Sequence, residues 1–451
     1  MWNRPRVLLA APASGSGKTM ITCGLLQALT LRGLRVASFK CGPDYIDPMF
    51  HEKVIGTASG NLDLFFADAP LMKRLFCRNS ADADISVIEG VMGYYDGMLA
   101  DSAEASSYAV ARALDCPTVL IVNARGQSVS ALATLEGFAR FRPDSGVKGV
   151  IFNQMPQRIF EALKPQVEAM GIAALGYVPR ADDMVIESRH LGLVTPDEIR
   201  GLSEKLTRLA GLLEQTVDID ALLALAHGAP ALAAPPEPDY PALPATKIAV
   251  ARDEAFCFLY RDNLALLERL GAQLAYFSPI RDAALPAGTQ GLLLCGGYPE
   301  LYAQALSENT AMRGAIRDAV SGGMPTLAEC GGFMYLHAQM EDMEGRFWPM
   351  AGVIEGRAYR TKKLGRFGYV TLSPNADTAF LPMGETVRAH EFHYFDSESC
   401  GDALTAVKPD GVRRWTCGHA DGALLAGFPH LYYESDPSFI VRFLRRCAER
   451  R

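Results

Sequence analysis

RVLLAAPASGSGKTM, residues 6–20, runs from an apolar stretch through a turn of small residues into a lysine-threonine pair that opens a helical pattern. A short apolar run bounded by turn residues reads as a buried strand. Gly15 and Gly17 let the backbone turn its N–H groups toward an anion, and a helix start behind them adds its dipole. Ser14, Gly15, Gly17, Lys18 and Thr19 are therefore candidate contacts to nucleotide phosphates, with Lys18 at the terminal phosphates and the Thr19 hydroxyl on Mg²⁺. The strict phosphate-loop pattern asks for glycine at position 12, where this chain has Pro12. The strand before and the helix after thus carry the reading, against the duller one of a Gly/Ser turn with a solvated lysine.

Outward from this loop, apolar runs alternate with helix-length segments: RVASFK (35–40), DISVIEGVMG (84–93), PTVLIVNA (117–124), VKGVIFNQM (147–155) and ALGYVPR (174–180). Such alternation predicts a parallel sheet buried on both faces. Ligands bind such sheets beyond the carboxyl ends of the strands. Three acidic loops emerge there: CGPDYIDP with Asp44 and Asp47, Glu89 at the end of its strand, and GYYDG with Asp96. Mg²⁺ takes one or two carboxylates plus phosphate oxygens and water, so Asp44 and Glu89 join Thr19 as candidate metal ligands. Tyr45, Asp47 and Asp96 are candidate substrate contacts, although a loop aspartate also serves to cap a turn. Asn153 reads either as an adenine contact or as a turn former.

Residues 196–225 look helical and lead into GAPALAAPPEPDYPALPAT (228–246), an Ala/Pro-rich stretch without periodicity that reads as a semi-rigid linker. The expected division is 1–225, a linker at 226–245, and 246–451, where KIAVAR, AQLAYFSP, GLLLCGG and MPTLAEC restart the alternation. At 451 residues two domains are the natural count. A hydrophobic share of 49% with 21% charged residues is soluble globular composition. The net charge of -7 gives no global pull toward nucleic acid or membrane, and no apolar stretch reaches a membrane span. MWNRPRVLLAAPA imitates a secretory leader, but cleavage there would part the loop from its strand, so it is read as the first strand. Ten cysteines without CxxC pairing point to reduced thiols in the cytoplasm.

MPTLAECGGFMYL (324–336) sets Cys330 between an apolar strand and a helix, with Gly331 and Gly332 allowing a sharp turn. That is a nucleophile elbow in cysteine form, with a helix N-terminus favouring thiolate. Upstream, LLLCGGYPELY (292–302) ends a strand in Gly296 and Gly297, candidate oxyanion-hole donors. The base comes from elsewhere in the sequence. Of His390, His393, His419 and His430, the last follows an apolar strand and is best placed. His419, between glycines in TCGHADG, suggests an exposed turn. EGRAYRTKKLGRFGY (355–369) interleaves cations with aromatic residues, and reads either as a seat for a flat polycarboxylate or as a solvated basic loop.

These residues together resemble the cobyrinic acid a,c-diamide synthase family, with its hydrogenobyrinic acid counterparts, over essentially the whole chain. The resemblance is carried by SGSGKT, FKCGPDYIDPMFH, VIEGVMGYYDG, IAVARDEAFCFLY, LLCGGYPELY, AECGGFMYL and RAHEFHYF. It implies a phosphate-loop domain similar to dethiobiotin synthetase, then a class I glutamine amidotransferase domain. The implied reaction is ATP-dependent amidation of the a and c acetates of cobyrinic acid with ammonia from L-glutamine, in cobalamin biosynthesis. The implied site residues are the phosphate loop, Asp44, Glu89, Asp96, the nucleophile Cys330 and its partner His430. Hydrogenobyrinic acid or a nickel sirohydrochlorin are the alternative substrates, and a homodimer is open to the chain. A partitioning-type ATPase with an inert amidotransferase-like tail is the alternative from another class, disfavoured by the intact elbow. Class I domains commonly carry glutamate two residues after the base, where this chain has Tyr432; the resemblance implies a Cys–His dyad, without Glu434 or Asp436.

Overall fold

The computed structural model describes residues 2–181 and 196–450, which divide into two compact units, Met1–Glu237 and Pro238–Arg451. In the first, strands β1 (Arg6–Ala10), β2 (Val36–Cys41), β3 (Ala58–Leu62), β4 (Ile85–Glu89), β5 (Thr118–Asn123), β6 (Val147–Asn153) and β7 (Ala173–Val178) form one sheet. Their order is β3-β2-β4-β1-β5-β6-β7, and every pairing is parallel. The near-continuous burial of β1, β2, β4 and β5 is what a sheet covered on both faces requires. Helix α1 (Lys18–Leu31) covers one face and is itself covered by the helix Pro196–Thr216, whose Leu209 and Leu213 close on Gly24.

The strand β3, ASGNL, has no apolar run and is absent from the sequence-based reading. As an edge strand it needs only one partner, and polar side chains suit its position. The Ser59 hydroxyl meets that of Ser38, and the Asn61 amide donates to the carbonyls of Gly42 and Asp44. It thereby braces the acidic loop after β2.

The second unit is built on a six-stranded sheet. Its strands are β8 (Thr246–Ala251), β10 (Ala272–Phe277), β11 (Gly291–Leu294), β13 (Thr326–Glu329), Leu424–Gly427 and His419–Asp421; β9 (Phe256–Phe258) and β12 (Gly296–Gly297) pair separately. All pairings in the six-stranded sheet are parallel except the last. Leu424–Gly427, the strand that precedes His430, lies parallel beside β13, the strand that leads into Cys330. Three residues on, His430–Leu431 leaves this sheet and pairs antiparallel with Val387–Phe392 in a second, five-stranded sheet. His430 therefore sits where the chain crosses from one sheet to the other. His419 starts an edge strand rather than lying in a turn, and its ring bonds the Ser399 carbonyl.

Candidate active site

In the first unit β1 ends against β4, with Leu9 opposite Glu89, and β2 lies on the other side of β4, with Lys40 opposite Glu89. This register gathers groups from three loops. Gly15 and Gly17 both have positive φ, 77° and 93°, and Gly17 opens α1. A Cβ on Gly17 would lie 2.2 Å from the Asn153 amide nitrogen, which donates to the Ser16 carbonyl. Asn153 thus braces the loop from beneath, an assignment its sequence context left open. Lys18 Nζ donates to the Met92 carbonyl at 2.7 Å; burial, with Lys40 nearby, lowers it to about 8. Ser14 lies exposed on the loop.

The Thr19 hydroxyl donates to Glu89 Oε1 at 2.6 Å, joining two of the candidate metal ligands. Lys40, which sequence reasoning passed over as a strand residue, enters the same site. Its ammonium lies 2.7 Å from Glu89 Oε1 and 2.6 Å from Asp47 Oδ2, all three residues being buried. Burial pulls Lys40 down, but Glu89, Asp47 and Asp44 outweigh it and hold the ammonium well above the ordinary lysine value. Burial pushes the Glu89 carboxyl up, against the pull of Lys40 and Thr19. Asp44 commits Oδ1 to the backbone N–H groups of Ile46 and Asp47, and burial raises it too. Asp47 is held by Lys40, while Tyr45 sits buried at the start of the short helix Ile46–Phe50. Asp96 accepts from Gly93 N–H at 2.9 Å on an exposed turn.

Hard oxygen donors with one or two carboxylates are what Mg²⁺ takes beside phosphate. Thr19 and Glu89 fit this, and Glu89 Oε2 is buried with no hydrogen-bond partner among the described residues. Among those residues no three acidic, histidine or cysteine side chains converge on one point, so any metal here would complete its shell from phosphate and water.

In the second unit Cys330 has φ 47° and ψ −103°, a conformation that a residue with a Cβ adopts only under constraint. The constraint is visible: Cys330 N–H donates to the Gly427 carbonyl of the neighbouring strand, and the helix Gly331–Leu336 starts at once. A Cβ on Gly331 would lie 3.1 Å from the Gly297 nitrogen, so the elbow packs on the second of the two candidate oxyanion donors. The other, Gly296, carries the imidazole of His430: a Cβ there would fall 2.3 Å from Cε1 of the ring. Gly296–Gly297 is thus clasped between the nucleophile turn and the histidine. It pairs with Phe256–Phe258 through a bulge between the two glycines.

The thiolate expectation needs correction for the resting protein. Cys330 is buried, and burial and Glu300 push its thiol up against the Gly331 N–H at the short helix start, which lowers it less than they raise it. His430 is buried as well, which lowers it to about 3, with His390 and His393 adding to the effect. It is a neutral ring and can accept a proton. His390 faces His430 across the strand pair; His393 stacks on Phe428 at 4.0 Å and bonds Glu391, a packing role. Tyr432 donates to Asp262, Glu434 pairs with Arg269, and Asp436 caps the helix Pro437–Ala448. The carboxylate near His430 is instead Glu329, whose Oε2 lies 3.9 Å from Nδ1. Of the basic patch, Arg357 and Arg366 are paired with Glu398 and Asp396, while Lys362 and Lys363 are exposed.

The ten cysteines carry no disulfide, and no helix among the described residues is long and apolar enough to cross a membrane. Family models match in two blocks: a CobQ/CobB/MinD/ParA nucleotide binding domain over residues 7–193 and a CobB/CobQ-like glutamine amidotransferase domain over 247–437. The chain is 42% identical to a cobyrinate a,c-diamide synthase of Salmonella typhimurium, across 97% of each chain. It is 38% identical to one of Caldanaerobacter subterraneus across 98% of each, and 40% to one of Gloeobacter violaceus across 98% of this chain and 96% of that one. Matched by these relatives over nearly its whole length, the chain belongs to the cobyrinate a,c-diamide synthase family.

Proposed function

We propose that this chain uses ATP to activate the a and c acetate carboxylates of cobyrinic acid, and amidates them with ammonia released from glutamine. The observation that carries the reading is the strained Cys330 turn with the His430 ring against Gly296, in a chain whose other unit opens on a phosphate loop. The relatives' name supplies the acid.

A carboxylate resists ammonia because its oxygen is a poor leaving group; an acyl phosphate expels phosphate instead. In the first unit, Lys18 and the start of α1 would hold the transferring phosphate, with Thr19, Glu89 and Asp44 as the Mg²⁺ ligands. When bound, Mg²⁺ neutralises charge on the transferring phosphate. Lys40 keeps Asp47 and Glu89 from repelling that charge. Asp96 and Tyr45 are the proposed contacts to the acid.

In the second unit the Cys330 sulfur attacks the glutamine side-chain carbonyl carbon as His430 takes the thiol proton. The oxygen gains charge near the Gly296 and Gly297 N–H groups, the tetrahedral centre collapses, and His430 returns the proton to the departing ammonia. Water then cleaves the thioester to glutamate. Supplying ammonia unprotonated and in place matters, because water competes for the acyl phosphate.

The ATP requirement and the reduced thiols suit the cytoplasm, and a homodimer is the assembly to test by light scattering. The function is tested by incubating purified protein with cobyrinic acid, ATP, Mg²⁺ and glutamine, and following product mass. ATP-dependent conversion to a diamide is expected; glutamine hydrolysis with no change in the corrinoid would overturn the substrate assignment.

A further inference from the structure

Among the described residues His430 has a carboxylate oxygen 3.9 Å from its ring, and that carboxylate comes from an unexpected place. Glu329 is the residue immediately before Cys330, at the end of β13. Because β13 runs beside Leu424–Gly427, its last side chain is carried toward the point where the neighbouring strand bends out to His430. Glu329 Oε2 lies 3.9 Å from His430 Nδ1, and its other oxygen accepts from the Tyr433 hydroxyl at 3.0 Å. Glu329 and Tyr433 are both buried, at 8% and 2% exposure. An acidic side chain is kept inside a protein only where it is held, and this one is held by Tyr433, at the start of the short helix that follows His430–Leu431.

We propose that Glu329 is the positioning residue of the glutaminase site: its carboxylate orients the His430 ring through Nδ1 and stabilises the imidazolium formed when His430 takes the Cys330 proton. The place filled elsewhere by a carboxylate two residues after the base is taken here by Tyr432, which is turned to Asp262. The acid is supplied instead from beside the nucleophile. The inference rests on the proposed glutaminase function. The proton moves from sulfur to the ring nitrogen, the electron pair stays on sulfur, and Glu329 exchanges no atoms.

Burial raises the Glu329 carboxyl to about 8, while the Tyr433 hydroxyl and the Leu431 N–H work against the rise. The groups facing it are Tyr433, His430, Cys295 and Cys330, with His390 and His393 beyond the ring. Its negative charge therefore appears as pH rises, and with it the support for an imidazolium. Removing the Tyr433 hydroxyl takes away a bond that favours the charged form, so the step moves to higher pH.

The test combines histidine nitrogen-15 NMR titration with glutamine hydrolysis, on wild type, E329Q, E329D and Y433F, assigning the His430 signals by their loss in H430A. Expected in wild type is a step in the His430 ring shifts near the pH where Glu329 ionises, absent in E329Q and displaced upward in Y433F. Above the pH where Glu329 ionises, glutamine kcat should fall in E329Q toward the lower end of the ~10²–10⁴-fold that a general base contributes, with KM little changed and partial rescue in E329D. Ammonia-dependent synthesis should hold in all three. A His430 titration identical in wild type and E329Q would overturn the proposal, as would wild-type kcat in E329Q. So would a loss of kcat with an unchanged pH profile, the mark of a merely structural residue. The NMR arm decides the matter even if the wild type hydrolyses no glutamine, an outcome that would sink the glutaminase function alone.

Discussion

Replacing Gly296 by alanine places a methyl carbon 2.3 Å from Cε1 of His430, 3.1 Å from Nδ1 and 3.3 Å from Nε2. Ordinary carbon contacts need about 3.5 Å, so the ring must retreat by about 1 Å, or the strand must. The ring has little room, since it is buried at 2% exposure with Phe258 at 6.1 Å between centroids. A misplacement of about 1 Å in a reacting group costs roughly 10²-fold in rate, while overpacking a buried site costs about 1–3 kcal/mol of stability. In a unit of this size that lowers Tm by roughly 2–4 °C per kcal/mol, so the variant should remain folded at 25 °C. The assay compares synthesis from glutamine with synthesis from ammonium salt, in the same preparation. Gly296→Ala should lose about 10²-fold in the first and keep the second. Equal rates with glutamine in variant and wild type would refute the clasp of His430 on Gly296. Equal loss with both nitrogen sources would refute the assignment of this site to ammonia release.

Cys330→Ser and His430→Ala should each abolish glutamine-dependent synthesis and spare the ammonium-dependent reaction; near wild-type glutamine hydrolysis in His430→Ala would mean another histidine is the base. Lys18→Ala and Glu89→Gln should remove synthesis with either nitrogen source while glutamine hydrolysis survives, and full ammonium-dependent rates in Glu89→Gln would contradict the Mg²⁺ assignment. Lys40→Met leaves Asp47 and Glu89 buried without their shared cation, a loss of about 3–5 kcal/mol that thermal unfolding would register, and an unchanged Tm would show that the ammonium is not what holds them.

Features set by local pattern were legible in the sequence. The phosphate loop, the alternation of buried strands and the elbow at Cys330 each depend on neighbours within a few residues, and each stands as expected. The strand Ala58–Leu62 was not legible, because an edge strand that braces a loop with Ser59 and Asn61 shows no apolar run. Lys40 was hidden for another reason. It lies in an apolar run and its partners Asp47 and Glu89 are joined to it through strand register, which no local pattern records. Glu329 stood in plain sight in AECGG, but its meaning depends on His430, brought to it by the pairing of Thr326–Glu329 with Leu424–Gly427. The thiolate expectation failed because a helix start was weighed without the burial that opposes it.

The central claim is that one chain moves the amide nitrogen of glutamine to a carboxylate that it has activated with ATP. The most direct measurement supplies glutamine labelled with nitrogen-15 in its amide, together with cobyrinic acid and ATP, and reads the label in the corrinoid by mass spectrometry. Wild type should place label in both new amides only when ATP is present, and Cys330→Ser should place none while still forming unlabelled diamide from added ammonium. Label entering the corrinoid through Cys330→Ser at the wild-type rate, or without ATP, would contradict the account.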